Sequence, residues 1–318
     1  MNAGWILNYW DSKKRIMKDL ITIGLPVYKR TEYIRKALDS AVHQTRPCSI
    51  LLIDNNSPHH DFKTIVESYK EVKIKYVRTD ETAPQDENFN NCFRHADTPW
   101  VTVLHDDDML HCQYVENCMK IIEKYGDQVG GIAYPSHVGE KEWDGISVPV
   151  KMTEDIRVMN PAFFYFTNLP FPGVLVRKEV ALELGGFNSD LHPIADFDFW
   201  YRYTSKMKMY YANQDMSYYR ISPTQSTNHL IDAMINNVYK YRLNEIKKGK
   251  HNSYLTKLSL EFSRIRNINY FLDTYESVEL PEIVNEDKLN RARKILKYRI
   301  PRKIVRMHMD RLMFSSPT

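Results

Sequence analysis

Between Leu20 and Tyr134 the chain alternates between two spacings of its apolar residues, and this alternation limits the fold more than any other feature. "LITIGLPVY" (Leu20–Tyr28) is a continuous apolar run rich in β-branched residues, the pattern of a strand buried on both faces. Thr31 follows as a helix N-cap, and Ile34, Ala37, Leu38 and Ala41 then fall on one helical face. "SILLID" (Ser49–Asp54), "VKIKYV" (Val72–Val77), "WVTVL" (Trp100–Leu104) and "GGIAY" (Gly130–Tyr134) read as further strands. Helical spacing separates them at Asn88–Ala96 and at Val115, Cys118, Met119 and Ile122. Alternating strands and helices imply right-handed crossovers, hence a largely parallel α/β sheet with helices on both faces.

In such sheets ligands collect at the carboxyl ends of the strands. Three strand ends carry polar groups: Tyr28-Lys29-Arg30, Asp54-Asn55-Asn56, and His105-Asp106-Asp107-Asp108. A solvated turn accounts for one such end more easily than for all three. Adjacent carboxylates repel and raise one another's proton affinity, so a cation is expected among Asp106, Asp107 and Asp108. No G-x-G-x-x-G follows the first strand and no G-x-x-x-x-G-K-[ST] occurs anywhere, which excludes those two phosphate grips. Carboxylate oxygens suit Mg²⁺ or Mn²⁺, and such a cation would in turn bind a diphosphate and stabilise it as a leaving group. His105 and His111 flank the acids but are less natural ligands for Mg²⁺.

Composition narrows the class. The net charge of +4 names no partner, and no apolar run of about 18 residues suggests a membrane span. The first residues, "MNAGWILNYWDSKKR", make a poor secretion signal. Cys48, Cys92, Cys112 and Cys118 form no C-x-x-C pair, so free thiols in a cytoplasmic protein are expected.

Over roughly residues 20–228 the chain resembles a family 2 glycosyltransferase of GT-A fold. The resemblance rests on "ITIGLPVYKRTEYIRKALDSAVHQT", "LLIDNNS", "NFNNCFRHA", "LHDDDML", "LELGGFN" and "DFDFWYR", in that order and spacing. It implies inverting transfer of a sugar from a nucleoside diphosphate. Pro26, Tyr28 and Arg30 would line the nucleotide pocket, Asp54 would accept from base or ribose, and Asn90 would belong to the same donor site. Asp106 and Asp108 would form the D-x-D that meets metal and diphosphate, with Asp107 between them. This chain has His105 where the family's first acid is usual, which leaves Asp107–Asp108 as a competing ligand pair.

The same resemblance places Asp196 at the start of D-x-D-x-W, where the family carries Glu-Asp; the Glu is Ala195 here. Inverting transfer needs one base opposite the leaving group, and Asp196 is the expected catalytic base. An Asp in a helix first turn is also favoured by capping and the helix dipole alone. Asp198 is expected to be structural and Trp200 to pack in the core. Arg220 and Gln225, in "YYRISPTQSTN", are candidates for contact with diphosphate or acceptor. The aromatic stretch Asn160–Gly173 is either core or acceptor wall.

From His229 onward only helical spacing remains, with Leu255, Leu258, Phe262, Ile265 and Leu272 on one face. Residues 288–312 carry ten Lys and Arg against one Asp, with Pro301 as a break, which favours an anionic membrane surface and leaves a solvated basic helix or oligomer contact as the plain alternative. No nucleic-acid motif accompanies the charge.

The expected organisation is an N-terminal extension (1–18), a GT-A catalytic domain (19–228, its donor half 19–135 and acceptor half 136–228), and a helical region with a basic tail (229–318). The expected activity is metal-assisted (Mn²⁺ or Mg²⁺) transfer from a UDP-sugar to a glycan or lipid-linked saccharide, by a cytoplasmic enzyme with peripheral contact to the inner membrane face. Two alternatives stand beside it. A sugar-nucleotide nucleotidyltransferase would need a denser glycine loop than "GLPVYKR", and a non-catalytic binding subunit would explain Ala195 and His105.

Overall fold

The longest apolar run forms the centre of a sheet. In the computed structural model, which describes residues 20–59, 61–222, 230–249, 251–274 and 302–317, β1 (Ile21–Val27) is buried at every position. It pairs in parallel with β2 (Ser49–Asp54) on one side and β4 (Trp100–Val103) on the other; β3 (Ile74–Arg78) extends the sheet beyond β2. Ile23 and Leu25 are fully buried, each worth about 1.5–3 kcal/mol in removed apolar surface. Helices α1 (Ile34–Val42), α2 (Asp61–Glu67) and α3 (Gln85–His95) form the crossovers. Gly24 lets α3 lie directly on β1, since an added Cβ would stand 2.7 Å from Cys92 Cβ. The expected face Ile34, Ala37, Leu38 and Ala41 is buried, but the helix starts after Tyr33 without a side-chain cap, so Thr31 is not its N-cap.

The chain divides into two compact units. The first comprises residues to Ile156 with Pro170–Ser189 and Met209–Ile221; the second comprises Arg157–Leu169, Asp190–Lys208 and residues from Ser222 onward. The first unit continues with β5 (Met109–Leu110), α4 (Tyr114–Tyr125), β6 (Gly131–Ala133), β7 (Ser136–Gly139), β8 (Val174–Arg177), α5 (Lys178–Glu183), β9 (Met209–Ala212) and β10 (Ser217–Arg220). Its main sheet runs β9-β6-β8-β4-β1-β2-β3. It is largely parallel, as expected, with one exception: β8 enters antiparallel between β4 and β6. A small sheet, β5-β10-β7, stands beside it, with Ser217 opposite Leu110 and Tyr218 opposite Met109.

The second unit is helical, with helices Phe163–Phe166, Ala195–Lys206, Ile231–Lys248, Tyr254–Thr274 and Arg302–Met313. Phe163, Phe164, Tyr165 and Phe166 are all buried, so this part of the aromatic stretch is core. Phe314–Ser315 pairs antiparallel with Val158–Met159, and Asn160 donates to the carbonyls of Leu312 (3.1 Å) and, through its backbone, Met313 (2.7 Å). On Tyr254–Thr274 the buried stripe is not quite the expected one. Thr256, Ser259, Leu260, Ser263, Ile265 and Ile268 are buried, while Leu255, Leu258 and Phe262 are only half-buried. Small hydroxyl side chains permit close packing there, and Ser263 gives its hydroxyl to the Phe166 carbonyl.

None of the four cysteines is in a disulfide. Among the described residues no helix is long and apolar enough to cross a membrane. The expected extension 1–18, Gln225, Pro301 and most of the basic tail lie outside the described residues, as does the Leu272 side chain.

Candidate active site

The site is built where β1 and β4 part. Their pairing ends at Gly24 opposite Val103, with a last bond from Leu104 N–H to the Gly24 carbonyl. Pro26 stands just beyond, still in register with Ile53 of β2. Its missing N–H therefore falls where no β4 partner remains to need it. β1 connects onward to β2 on one side and neighbours β4 on the other, so this is a topological switch point of the sheet, open at the strand carboxyl ends.

Asp106, Asp107 and Asp108 follow β4 into this opening and are all buried, at 8%, 7% and 1% exposure. Arg30, from the β1 end, reaches across to both of the first two. It donates to each oxygen of Asp106, through Nε at 3.3 Å and through a close Nη2 contact, and its Nη2 lies 3.0 Å from Asp107 Oδ2. Burial works against the Arg30 charge, but the two carboxylates outweigh it and hold the guanidinium above its usual range. Burial and the neighbouring Asp107 push Asp106 up to about 6 despite Arg30. Burial also raises Asp108, against the opposing pull of His105.

A second arginine approaches from the far end of the unit. β10 pairs with β5 directly after the acids, and this register carries Arg220 to the loop. Its backbone N–H donates to Asp108 Oδ1 at 3.0 Å and its Nε to the Asp107 carbonyl at 2.9 Å. The guanidinium lies 4.4 Å from the Tyr33 ring centroid and 5.1 Å from that of Tyr218, and its buried Nη2 has no hydrogen-bond partner. Arg220 is thus brought into the cluster by pairing across more than a hundred residues, a signal that "YYRIS" does not carry locally.

His105 stacks on Phe171 (centroids 4.0 Å apart) and sets Nδ1 3.5 Å from Asp108 Oδ2. Burial alone would lower its proton affinity; the adjacent Asp108 carboxylate and the field of Asp107 and Asp106 reverse that and raise it. Ligand atoms of His105, Asp107 and Asp108 all lie within 4.8 Å of one another. Asp108 Oδ2 is buried without a hydrogen bond, and so is His105 Nε2. An unsatisfied buried carboxylate oxygen beside two more carboxylates fits a hard divalent cation. Because Arg30 engages both oxygens of Asp106, the pair with an uncommitted oxygen is Asp107–Asp108. His111 is different: its Nε2 pairs with the Val148 carbonyl at 2.9 Å and its Nδ1 accepts from Gln113 N–H at 3.1 Å, so both ring nitrogens serve the backbone.

Two expected donor contacts are engaged inside the fold. Asp54 is fully buried: Oδ1 accepts from Ser57 N–H (2.9 Å), and Oδ2 from Tyr76 hydroxyl (2.8 Å) and Arg78 Nη1 (2.6 Å). Burial would raise its proton affinity, but these bonds prevail and hold it below the usual range. Asp54 therefore shapes the turn after β2, which also ties back to β1 through Lys29 N–H to Ser57 Oγ at 3.1 Å. Asn90 clamps a turn. Its Oδ1 accepts from Phe187 N–H (2.8 Å), and its Nδ2 donates to the Phe187 carbonyl (2.9 Å) and Glu87 (3.0 Å). Tyr28, by contrast, is 37% exposed at the end of β1, with Lys29 over its ring.

In the second unit, Asp196 lies half-buried in the first turn of Ala195–Lys206, where Oδ1 accepts from the Phe197 N–H at 2.7 Å. Asp198 is structural, bound by Arg202 Nε (2.7 Å) and Tyr241 hydroxyl (2.8 Å), and Trp200 is buried.

Comparison with known proteins agrees with this architecture. The model of glycosyl transferase family 2 matches residues 22–181. An uncharacterised glycosyltransferase of Rickettsia prowazekii is 23% identical over 226 residues, 70% of this chain and 70% of that protein. One of Haemophilus influenzae is 21% identical over 182 residues, 57% of this chain and 60% of its own. Among solved structures, S. aureus TarS 1-349 in complex with UDP matches with a TM-score of 0.55 and 13% identity, covering 83% of this chain and 76% of that one. The mannosyltransferase PcManGT from Pyrobaculum calidifontis, in complex with GDP-Man and Mn²⁺, matches with a TM-score of 0.56 and 15% identity, covering 95% and 90%. At such identities the structures establish the shared fold.

Proposed function

Because this chain belongs to glycosyl transferase family 2 and is a glycosyltransferase of GT-A fold, we propose that it moves a sugar, with inversion, from a UDP-sugar to a hydroxyl of a glycan or lipid-linked saccharide. The observation that carries this reading is the buried acid loop at the switch point, with an unpartnered carboxylate oxygen on Asp108 and guanidinium groups on either side. Asp107 and Asp108 would hold the cation, with Asp106 completing the cluster once Arg30 releases it. When bound, Mn²⁺ or Mg²⁺ supplies Lewis-acid neutralisation of diphosphate charge. Arg30 and the free Nη2 of Arg220 would contribute further donors to the phosphate oxygens. Tyr28 and Pro26, at the end of β1, would line the nucleotide side.

Asp196 is proposed as the base that takes the acceptor proton. The residue is half-buried and its Oδ1 accepts from the Phe197 N–H in the first turn of its helix, which fixes the carboxylate at the helix start. Contact with an anionic membrane through 288–312 is supported by the helix Arg302–Met313. It buries Val305, Met309 and Met313, while Ile304 and Met307 (49% and 61% exposed) stand among exposed Lys303, Arg306 and Arg311.

A thermal-shift panel of UDP, GDP, TDP and CMP, each with Mn²⁺, Mg²⁺ or EDTA, tests the donor assignment. A cation-dependent rise with UDP is expected. A rise with GDP alone would replace UDP in the proposal, and equal rises with metal and EDTA would remove the cation.

A further inference from the structure

The second unit contains a small cavity of about 30 Å³, lined by Arg242, Arg264, Asn168 and Asn267 and by apolar side chains that include Met234 and Val238. Arg242 is only 3% exposed. Its Nε donates to the Phe164 carbonyl (2.7 Å), and its Nη2 to the Thr167 carbonyl (2.7 Å) and Asn168 Oδ1 (2.6 Å). These bonds brace the segment 164–168 against the helix Ile231–Lys248. They use three of the five guanidinium N–H groups and leave the two on Nη1. All three acceptors are neutral, so the buried charge has no carboxylate partner among the described residues.

Arg264 has a carboxylate neighbour but an unmet donor. It stacks on Tyr239 at 4.1 Å, Glu261 is 3.8 Å from its Nη1, and its Nε is buried without a hydrogen-bond partner. Glu261 also accepts the Tyr239 hydroxyl, so its charge is shared. A buried cation and a buried unsatisfied donor each cost free energy unless an acceptor meets them. Bracing explains Arg242 in part, but it leaves the Arg264 Nε and the convergence of two amides unexplained.

We propose that this cavity binds the oxyanion head, phosphate or carboxylate, of a ligand with an apolar stem. Guanidinium groups present paired donors that match either head, and the amides add neutral donors. A water needs roughly 10–15 Å³ of such space, so the cavity admits a head group and no sugar ring or base; the remainder of the ligand lies outside. Burial and the nearby Arg266 pull Arg242 down to about 9, the direction an anion would reverse.

The test is isothermal titration of the full chain with hexyl phosphate, hexanoate and inorganic phosphate, run beside UDP with Mn²⁺. One-to-one saturable binding is expected for at least one alkyl anion, weakened tenfold or more by Arg264→Met and by Asn267→Ala, with UDP binding unchanged in both variants. Comparison of hexyl phosphate with hexanoate identifies the head. Absence of saturable binding by both alkyl anions, or binding that neither variant weakens, overturns the proposal. The UDP titration fails or succeeds independently, so loss of the donor assignment would be seen separately.

Discussion

The turn at Gly186 offers a prediction that can be worked from distances. Gly186 has φ +66°, and a Cβ added there would stand 2.0 Å from Asn90 Oδ1 and 2.7 Å from its Cγ. Gly186→Ala therefore incurs two costs. Left-handed backbone costs a non-glycine residue about 1–2 kcal/mol. The contact also forces Asn90 off Phe187, leaving a buried N–H and a buried carbonyl unsatisfied at about 1–3 kcal/mol each. The expected destabilisation is about 3–8 kcal/mol, large against the roughly 5–15 kcal/mol of a whole domain. Asn90→Ala removes the same two bonds directly. In that background Gly186→Ala retains only the backbone cost, about 1–2 kcal/mol, so the two substitutions are strongly non-additive. Urea unfolding of the four proteins, followed by far-UV circular dichroism, measures the coupling. A cost below about 1 kcal/mol for Gly186→Ala, or additivity within about 0.5 kcal/mol, would refute the clamp and return Asn90 to the donor site.

Three further outcomes are expected. With chelator present, Asp106 should contribute increasing stability as pH falls from about 6 towards 4: its folded pKa is about 6 against 3.8 unfolded, so the native state binds the extra proton in that window, for at most about 3 kcal/mol from this group. Asp106→Asn should flatten this slope in pH-dependent urea titrations, and an unchanged slope would discard the assignment. Asp108→Asn should weaken Mn²⁺ binding tenfold or more by titration calorimetry in the presence of UDP, whereas His111→Gln should leave it unaltered if the protein folds. Asp196→Asn should reduce turnover by about 10²–10⁴-fold with UDP affinity unchanged; normal turnover would rule out Asp196 as the base.

The central strands were legible because β1 and β2 are continuous apolar runs, and α1 because Ile34, Ala37, Leu38 and Ala41 repeat at helical spacing. The acid loop was legible for a related reason: three charges directly after a buried strand have to be resolved by something. β8 was not seen, since "VLVR" is four residues long and its antiparallel position depends on partners far away in sequence. Asp54 and Asn90 carried the right residue types for a ligand, but their bonds to Tyr76, Arg78 and Phe187 are tertiary. A polar residue at a strand end looks the same in sequence whether it faces a ligand or a neighbouring turn.

The seam between β5 and β10 has a consequence for how little of the chain can be dispensed with. The family match ends at residue 181, yet the main-chain donor to Asp108 is at Arg220. During synthesis the acids are made more than a hundred residues before the segment that fastens them, and a strand pairing of that sequence separation forms late. A fragment cut after the matched stretch would hold β1, β2 and β4 but leave β5 as a bare edge and Asp108 without its backbone donor. The smallest competent piece of this protein therefore extends at least through residue 220, well past the stretch by which its family is identified.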